Sequence, residues 1–313
     1  MTGGAGFVGT NLVKRLVQMG HEVRVIDDFS TGLRSNLQNE ECQVLEVSIS
    51  DEVEVSKALQ GVDWIFHLAA RGSVPRSIKS PGATFQVNTI GTLNVVNTAR
   101  DNDCPIVFSS SSSVYGRNIE LPKSESSWVA PLTPYAASKL SGEALVQSYS
   151  DSYGFPALIF RFFNIFGQWQ RPDHDYAAVI PKWIWGCMNK QRLQVFGDGE
   201  QSRDFTHVDT VIDLLVETLN KDIFYKTPVN LAYGNRISLN ELLAELQNYF
   251  PSFEYEYLSA RKGDVKASQN DPRLLRELFP SITPIEFGIG LKKTIDWLQV
   301  SGSQVAGQAV DQN

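Results

Sequence analysis

The chain has 313 residues, 42% of them hydrophobic and 20% charged. This is ordinary globular composition, enough for one large domain or two modest ones, and it excludes bulk disorder. The formal charge of −7 argues against a broad basic face for nucleic acid, and no run of about 18 apolar residues offers a membrane span.

In chain order, a glycine-rich opening, MTGGAGFVGT, leads into a helix over 9–19. HEVRVI (21–26) and CQVLEV (42–47) read as buried strands, followed by a helix over 51–60. DWIFHL (63–68) is a third strand, 84–102 a helix, PIVFSS (105–110) a fourth strand, 134–153 a helix and PALIFRF (156–162) a fifth strand. The alternation predicts a doubly wound α/β fold: a parallel sheet with helices on both faces.

The second half is less regular. A helix over 179–190 precedes short strands at LQVF (193–196), PVNLA (228–232) and FEYEY (253–257), with helices over 208–220, 238–249 and 286–298. The expected organisation is a dinucleotide-binding domain over 1–165, a smaller α/β substrate lobe over 166–300 with some segments returning to the first, and a disordered tail over 301–313. A glycine turn of this kind follows a strand, yet only Met1 precedes Thr2. The expectation is that about five apolar residues of the central strand lie upstream. The opening lacks the basic and apolar regions of a signal peptide. Cys42, Cys104 and Cys187 are far apart, without metal-ligand spacing, and read as buried free thiols in a reducing cytoplasm.

Gly3, Gly6 and Gly9 form a GxxGxxG run at the start of a helix. Glycine permits the tight turn, and the helix N-terminus attracts a pyrophosphate. By itself the pattern is equally an ordinary turn. Asp27 ends the next strand, where a carboxylate can accept hydrogen bonds from a ribose. Its charge would repel a 2′-phosphate, so NAD+ is favoured over NADP.

Tyr135 and Lys139 stand four residues apart and share a helical face. SSSSSVYG (109–116) brings hydroxyls to the C-terminal edge of the sheet, where ligands bind in such folds. A free phenol titrates near 10, so proton transfer near neutral pH needs roughly 4 kcal/mol of help. Lys139 and a cationic nicotinamide are the expected sources, with Tyr135 taking a proton from a substrate hydroxyl as hydride leaves the same carbon.

TGGAGFVG, VIDDFSTG, HLAA, SSSSSVYG, YAASK and RFFNIFG together resemble the extended short-chain dehydrogenase/reductases, and more narrowly the nucleotide-sugar epimerases. The likeness runs from Thr2 to about residue 298. It implies a Rossmann domain with NAD+ and a lobe for a UDP-sugar. By position, Ser111, Tyr135 and Lys139 match the catalytic serine, base and helper. Gly3, Gly6, Phe7, Val8, Gly9, Asp27, Ile49, Ala69 and Asn88 match cofactor positions. Ser48 stands where the family often has an adenine-binding Asp.

The 4,6-dehydratases carry an acid pair where this chain has Ser112 and Ser113, and decarboxylases usually have Glu at the latter. Epimerases need neither. Several segments look like UDP-N-acetylglucosamine 4-epimerases: Gly72 and Ser73 in RGSVPRSI, Asn164 and Gln170 in RFFNIFGQWQ, and Arg203 and Arg261 as diphosphate ligands. Ser268 matches a position that gates pocket size, and a small residue there leaves room for a 2-acetamido group. Plain UDP-hexoses and UDP-glucuronate remain alternatives, the latter lacking an evident cationic partner. A non-catalytic NAD-linked regulator is the reading from another class, opposed by the intact Ser111, Tyr135 and Lys139. The product would feed hexose catabolism or polysaccharide synthesis. The resemblance also implies a homodimer joined through the helices over 84–102 and 134–153, and His67, in HLAA, reads as a packed strand-end residue.

Overall fold

A computed structural model of the chain describes residues 1–173, 177–260 and 266–305. After the glycine turn come α1 (Phe7–Gln18), β1 (Val23–Asp27), β2 (Cys42–Glu46), α2 (Glu52–Ala58) and β3 (Ile65–His67). Two short helices, α3 (Val74–Lys79) and α4 (Pro81–Phe85), precede a wider π turn over Gln86–Gly91 that runs into α5 (Thr92–Asp101). The expected single helix over 84–102 is thus interrupted. Ser73 caps α3 by accepting the Arg76 N–H, and Pro75 and Pro81 sit in the first turns of α3 and α4. These are start signals that the apolar periodicity alone does not reveal.

The sheet continues with β4 (Ile106–Ser111), α6 (Pro134–Tyr153) and β5 (Ala157–Phe162). β3, β4 and β5 pair in parallel, and β10 (Val229–Leu231) joins β5 from much later in the chain. β1 and β2 form a parallel pair. Thr2 joins the two sets, bridging Ile26 on one side and His67 on the other. The spatial order is therefore β2, β1, Met1–Gly3, β3, β4, β5, β10, with the reversal of direction at the glycine turn. Strand side chains alternate between faces. Phe66, Val107 and Leu158 accordingly pack with α1 and α8 (Val208–Lys221), while Ile65, Ile106 and Ile159 pack with α2 and α5. Truncating a residue such as Leu158, fully buried, costs about 2–5 kcal/mol.

The remaining elements build a second core. They are β6 (Asn164–Phe166), α7 (Val179–Met188), β7 (Leu193–Phe196), β8 (Ser202–Arg203), β9 (Phe205–His207), β11 (Ile237–Ser238), α9 (Leu239–Gln247), β12 (Tyr255–Leu258), α10 (Arg273–Leu278) and α11 (Phe287–Val305). Ile184, Val195, Leu242 and Leu291 meet at its centre, and β7 pairs in parallel with β12. α8 and α10 instead pack on the first core, through Leu215 and Leu275. Helix α11 continues to Val305, so the start of the 301–313 stretch is helical rather than disordered. A helix already nucleated propagates without new packing at every residue. Cys104 and Cys187 are buried, but Cys42 is only partly so because it lies on the exposed flank of β2.

Candidate active site

The C-terminal ends of Met1–Gly3, β1, β3 and β4 surround a cavity of about 480 Å³, the size of a small-molecule site. The glycine turn forms one end. A Cβ on Gly9 would lie 2.1 Å from the Gly3 carbonyl oxygen, and one on Gly3, at φ +72°, would lie 2.6 Å from the Ala69 nitrogen. Neither position has room for a side chain. Gly6 has other work: its Cβ would approach nothing closer than 3.4 Å, and it opens α1 with no side-chain cap. Phe7, Val8 and Gly9 line the cavity, and a first helical turn has no internal partners for its N–H groups. This is an anion cradle.

Asp27 closes the same end. Its carboxylate accepts the Ala5 and Phe29 N–H groups, each at 2.9 Å, which fixes its orientation. Burial pushes this carboxyl up, and the two N–H bonds oppose the rise. It lines the cavity with acceptor capacity to spare for ribose hydroxyls. Val47, Ile49 and Ala69 complete this end. Ser48 does not line the described wall; its Oγ accepts the Ser50 N–H at 3.3 Å. Asn36, which the motifs did not reveal, lines the wall and donates to the Ala5 carbonyl at 2.9 Å. The cradle and the oriented carboxylate fit a dinucleotide.

The other end is built by α6 lying against β4. Thr133 caps α6 by accepting the Ala136 N–H, Pro134 follows, and Tyr135 lies in the first turn. Close approach is possible because a Cβ on Gly142 would come within 2.5 Å of the Phe108 ring. Three successive turns then meet three successive serines. The Tyr135 phenol lies beside the Ser111 side chain. Lys139 Nζ donates to the Ser109 carbonyl at 2.6 Å. Glu143 accepts from Ser110 Oγ. Burial draws the Lys139 ammonium down to about 7, with Glu143 opposing. Burial also pushes the Tyr135 phenol up, with Ser111 opposing. The lowering of the phenol was expected from Lys139 together with a cationic nicotinamide; in the protein by itself burial prevails at Tyr135, while Lys139 Nζ donates to the Ser109 carbonyl.

His67 is buried between Thr2 Oγ1, at 2.7 Å from Nδ1, and Thr92 Oγ1, at 2.9 Å from Nε2. Burial holds its pKa near 3, so it is a neutral packed residue, as expected. Asn88 is not on the described wall. From the π turn it accepts the Arg71 N–H at 2.8 Å and donates to Ser138 Oγ at 2.9 Å, tying the loop after β3 to the turn carrying Tyr135 and Lys139.

Gly72, Ser73 and Gln170 line the main cavity. Gln170 Nε2 donates to the Ile165 carbonyl at 3.2 Å, while its Oε1 is buried without a partner. Asn164 and Arg203 line a second cavity of about 390 Å³, which shares Phe163, Ile165 and Ala178 with the first. Ser268 lies on neither described wall, its N–H donating to the Ser202 carbonyl at 3.1 Å. Arg261, expected to hold a diphosphate, lies outside the described residues. Arg71, Arg76 and Trp169 line the main cavity and were not singled out by sequence. Only the fold brings them there.

Fold and site define a dinucleotide-binding enzyme. The profile of the NAD dependent epimerase/dehydratase family matches residues 1–232. A putative UDP-glucose 4-epimerase of Methanocaldococcus jannaschii is 31% identical over 304 residues, covering 96% of this chain and 97% of that protein. UDP-glucuronic acid decarboxylase 1 of Xenopus tropicalis is also 31% identical, over 96% of this chain and 71% of its own length. Among solved structures, UDP-N-acetylglucosamine 4-epimerase of Methanobrevibacter ruminantium, in complex with UDP-N-acetylmuramic acid, superposes with a TM-score of 0.90 at 35% identity, covering 96% of this chain and 97% of that one. The chain belongs to the NAD dependent epimerase/dehydratase family.

Proposed function

We propose that this enzyme interconverts the C4 epimers of a UDP-hexose, with UDP-N-acetylglucosamine and UDP-N-acetylgalactosamine as the favoured pair. One observation carries the reading. Tyr135 and Ser111 meet at the reacting end of the cavity, and the acidic residues of its described wall are Asp27 and Asp28, both at the end of β1. Epimerisation needs one proton-transfer group beside the sugar, whereas elimination needs an added acid and base.

The chemistry that NAD+ supplies when bound is acceptance and return of the C4 hydride, by way of a 4-keto sugar. Gly6 and the first turn of α1 receive its pyrophosphate, and Asp27 its ribose. Tyr135 takes the proton of the C4 hydroxyl and gives it back. Ser111 holds that oxygen, and Lys139 places positive charge behind the phenol. Asn164, Arg203 and Arg261 serve the nucleotide, Gly72, Ser73 and Gln170 the sugar, and Ser268 leaves room at C2. Relatives named for a glucuronic acid and bound to an N-acetylmuramic acid support a pocket tolerant of substituted sugars.

Purified protein incubated separately with UDP-N-acetylglucosamine, UDP-glucose and UDP-glucuronate, followed by the anomeric proton signals, tests this. Conversion of the acetylated sugar at least as fast as UDP-glucose is expected. Conversion of UDP-glucose alone would reject the open C2 pocket, and loss of UDP-sugar to a dehydrated or decarboxylated product would reject epimerisation.

A further inference from the structure

We propose that the Arg71 guanidinium holds a carboxylate carried by the sugar of the substrate, and so favours an acidic sugar over its own uncharged counterpart among the sugars that the proposed C2 pocket admits. The inference rests on reading the cavity as a nucleotide-sugar site.

Arg71 lines the main cavity, and its Nε is buried without a hydrogen-bond partner among the described residues. A buried guanidinium N–H left unmatched is unfavourable, and a ligand acceptor relieves it. Among the described residues, the carboxylates of the wall are engaged elsewhere. Asp27 is held by Ala5 and Phe29, and Asp28 accepts from the N–H and Oγ of Ser30. Arg171, on the same wall, is already paired with Asp173 at 2.9 and 3.0 Å.

The backbone ties Arg71 to the end of the cavity that carries Tyr135. Its N–H is held by Asn88, whose amide donates to Ser138, whose Oγ in turn donates to the Tyr135 carbonyl at 2.8 Å. Its carbonyl accepts the Ser73 N–H at 3.1 Å. Arg71 is thus fixed to the turn that carries Tyr135 and Lys139, whereas the anion cradle of the dinucleotide is formed by α1. The unpartnered Gln170 Oε1 on the same wall is a second sign that a polar ligand completes this part of the cavity.

Guanidinium and carboxylate match as a planar, two-pronged pair, which a hydroxymethyl group cannot reproduce. The carboxylate can belong to C6 of a hexuronate or to an acidic ether on the ring. Two matched pairs of probes separate these sources: UDP-glucuronate against UDP-glucose, and UDP-N-acetylmuramic acid against UDP-N-acetylglucosamine.

The experiment measures kcat/KM and equilibrium binding for both pairs, with wild type, Arg71→Gln and Arg71→Lys, alongside Tm and the dinucleotide released by acid from each protein. Wild type should favour the carboxylate-bearing member of one pair. Arg71→Gln should cut that preference roughly 10- to 100-fold, with Arg71→Lys falling between. Tm and dinucleotide content should match wild type. A wild type that prefers the neutral member of both pairs overturns the proposal. So does an Arg71→Gln variant that weakens both members of a pair equally, or one that loses its dinucleotide, which would assign Arg71 to the pyrophosphate. If no sugar is epimerised yet Arg71→Gln erases a binding preference for the carboxylate, the functional reading falls and the role of Arg71 stands.

Discussion

Glu143 on α6 accepts two hydrogen bonds from Arg161 on β5, from Nε at 2.9 Å and from Nη2 at 2.8 Å. Both side chains are buried. Arg161 also donates to the Tyr115 hydroxyl at 3.0 Å, which donates to Asn230 Oδ1 at 2.7 Å. The network therefore pins α6, and with it Tyr135 and Lys139, to three strands of the sheet.

Removing one partner of such a pair strands a buried charge. Glu143→Ala is expected to cost about 3–5 kcal/mol of stability, and replacing Glu143 and Arg161 together by Met should cost less than that. Urea denaturation of the single and double variants measures both. A double variant less stable than the single would mean that the pair is not a self-contained unit.

Tyr135→Phe removes the phenolic oxygen and keeps the ring. Turnover should fall about 10²- to 10⁴-fold, the usual contribution of a positioned acid or base. Thermal melting and bound dinucleotide should remain close to wild type. A variant with more than a tenth of wild-type kcat would exclude Tyr135 as the proton carrier.

Gly6 and Gly9 make opposite predictions from one turn. A methyl on Gly9 meets the Gly3 carbonyl oxygen at 2.1 Å, so Gly9→Ala should lower Tm and cofactor content together. At Gly6 the nearest contact is 3.4 Å, so Gly6→Ala should fold normally and lose dinucleotide affinity. Equal melting temperatures for the two variants would contradict this division of labour.

Asp204 gives a pH dependence. It is fully buried between β8 and β9, its Oδ2 accepts the Gly234 and Asn270 N–H groups at 3.0 and 2.9 Å, and its Oδ1 has no hydrogen-bond partner among the described residues. Burial raises this carboxyl from 3.8 to about 7. Between those values the native state keeps a proton that the unfolded chain has lost. Its contribution is therefore complete below about pH 4 and is lost as pH rises through 7. Asp204→Asn should flatten the fall in urea midpoint between pH 4 and 7, whatever it costs at any single pH. An unchanged slope would place the titration elsewhere.

The strands, the glycine turn, Asp27 and the Tyr135–Lys139 spacing were legible in the chain because each is a short-range pattern. Alternation over five residues reports a strand, and a separation of four reports one face of a helix. Beyond the end of β2 the chain turns, and strand alternation no longer says which of Val47, Ser48 and Ile49 faces the cavity. The split of the 84–102 helix was hidden because Gln86–Gly91 keeps helical composition while its π turn re-aims Asn88.

Sequence by itself thus determined the doubly wound class, the dinucleotide cradle and the identity of the proton-transfer candidates, since backbone geometry imposes those patterns within a few residues. Tertiary structure alone decided that Thr2 would join two strand pairs, that β10 would return to the sheet, and that Arg71 would share a cavity with Tyr135. Those outcomes depend on which distant surfaces pack best and which buried polar groups find partners, and no local spacing encodes either.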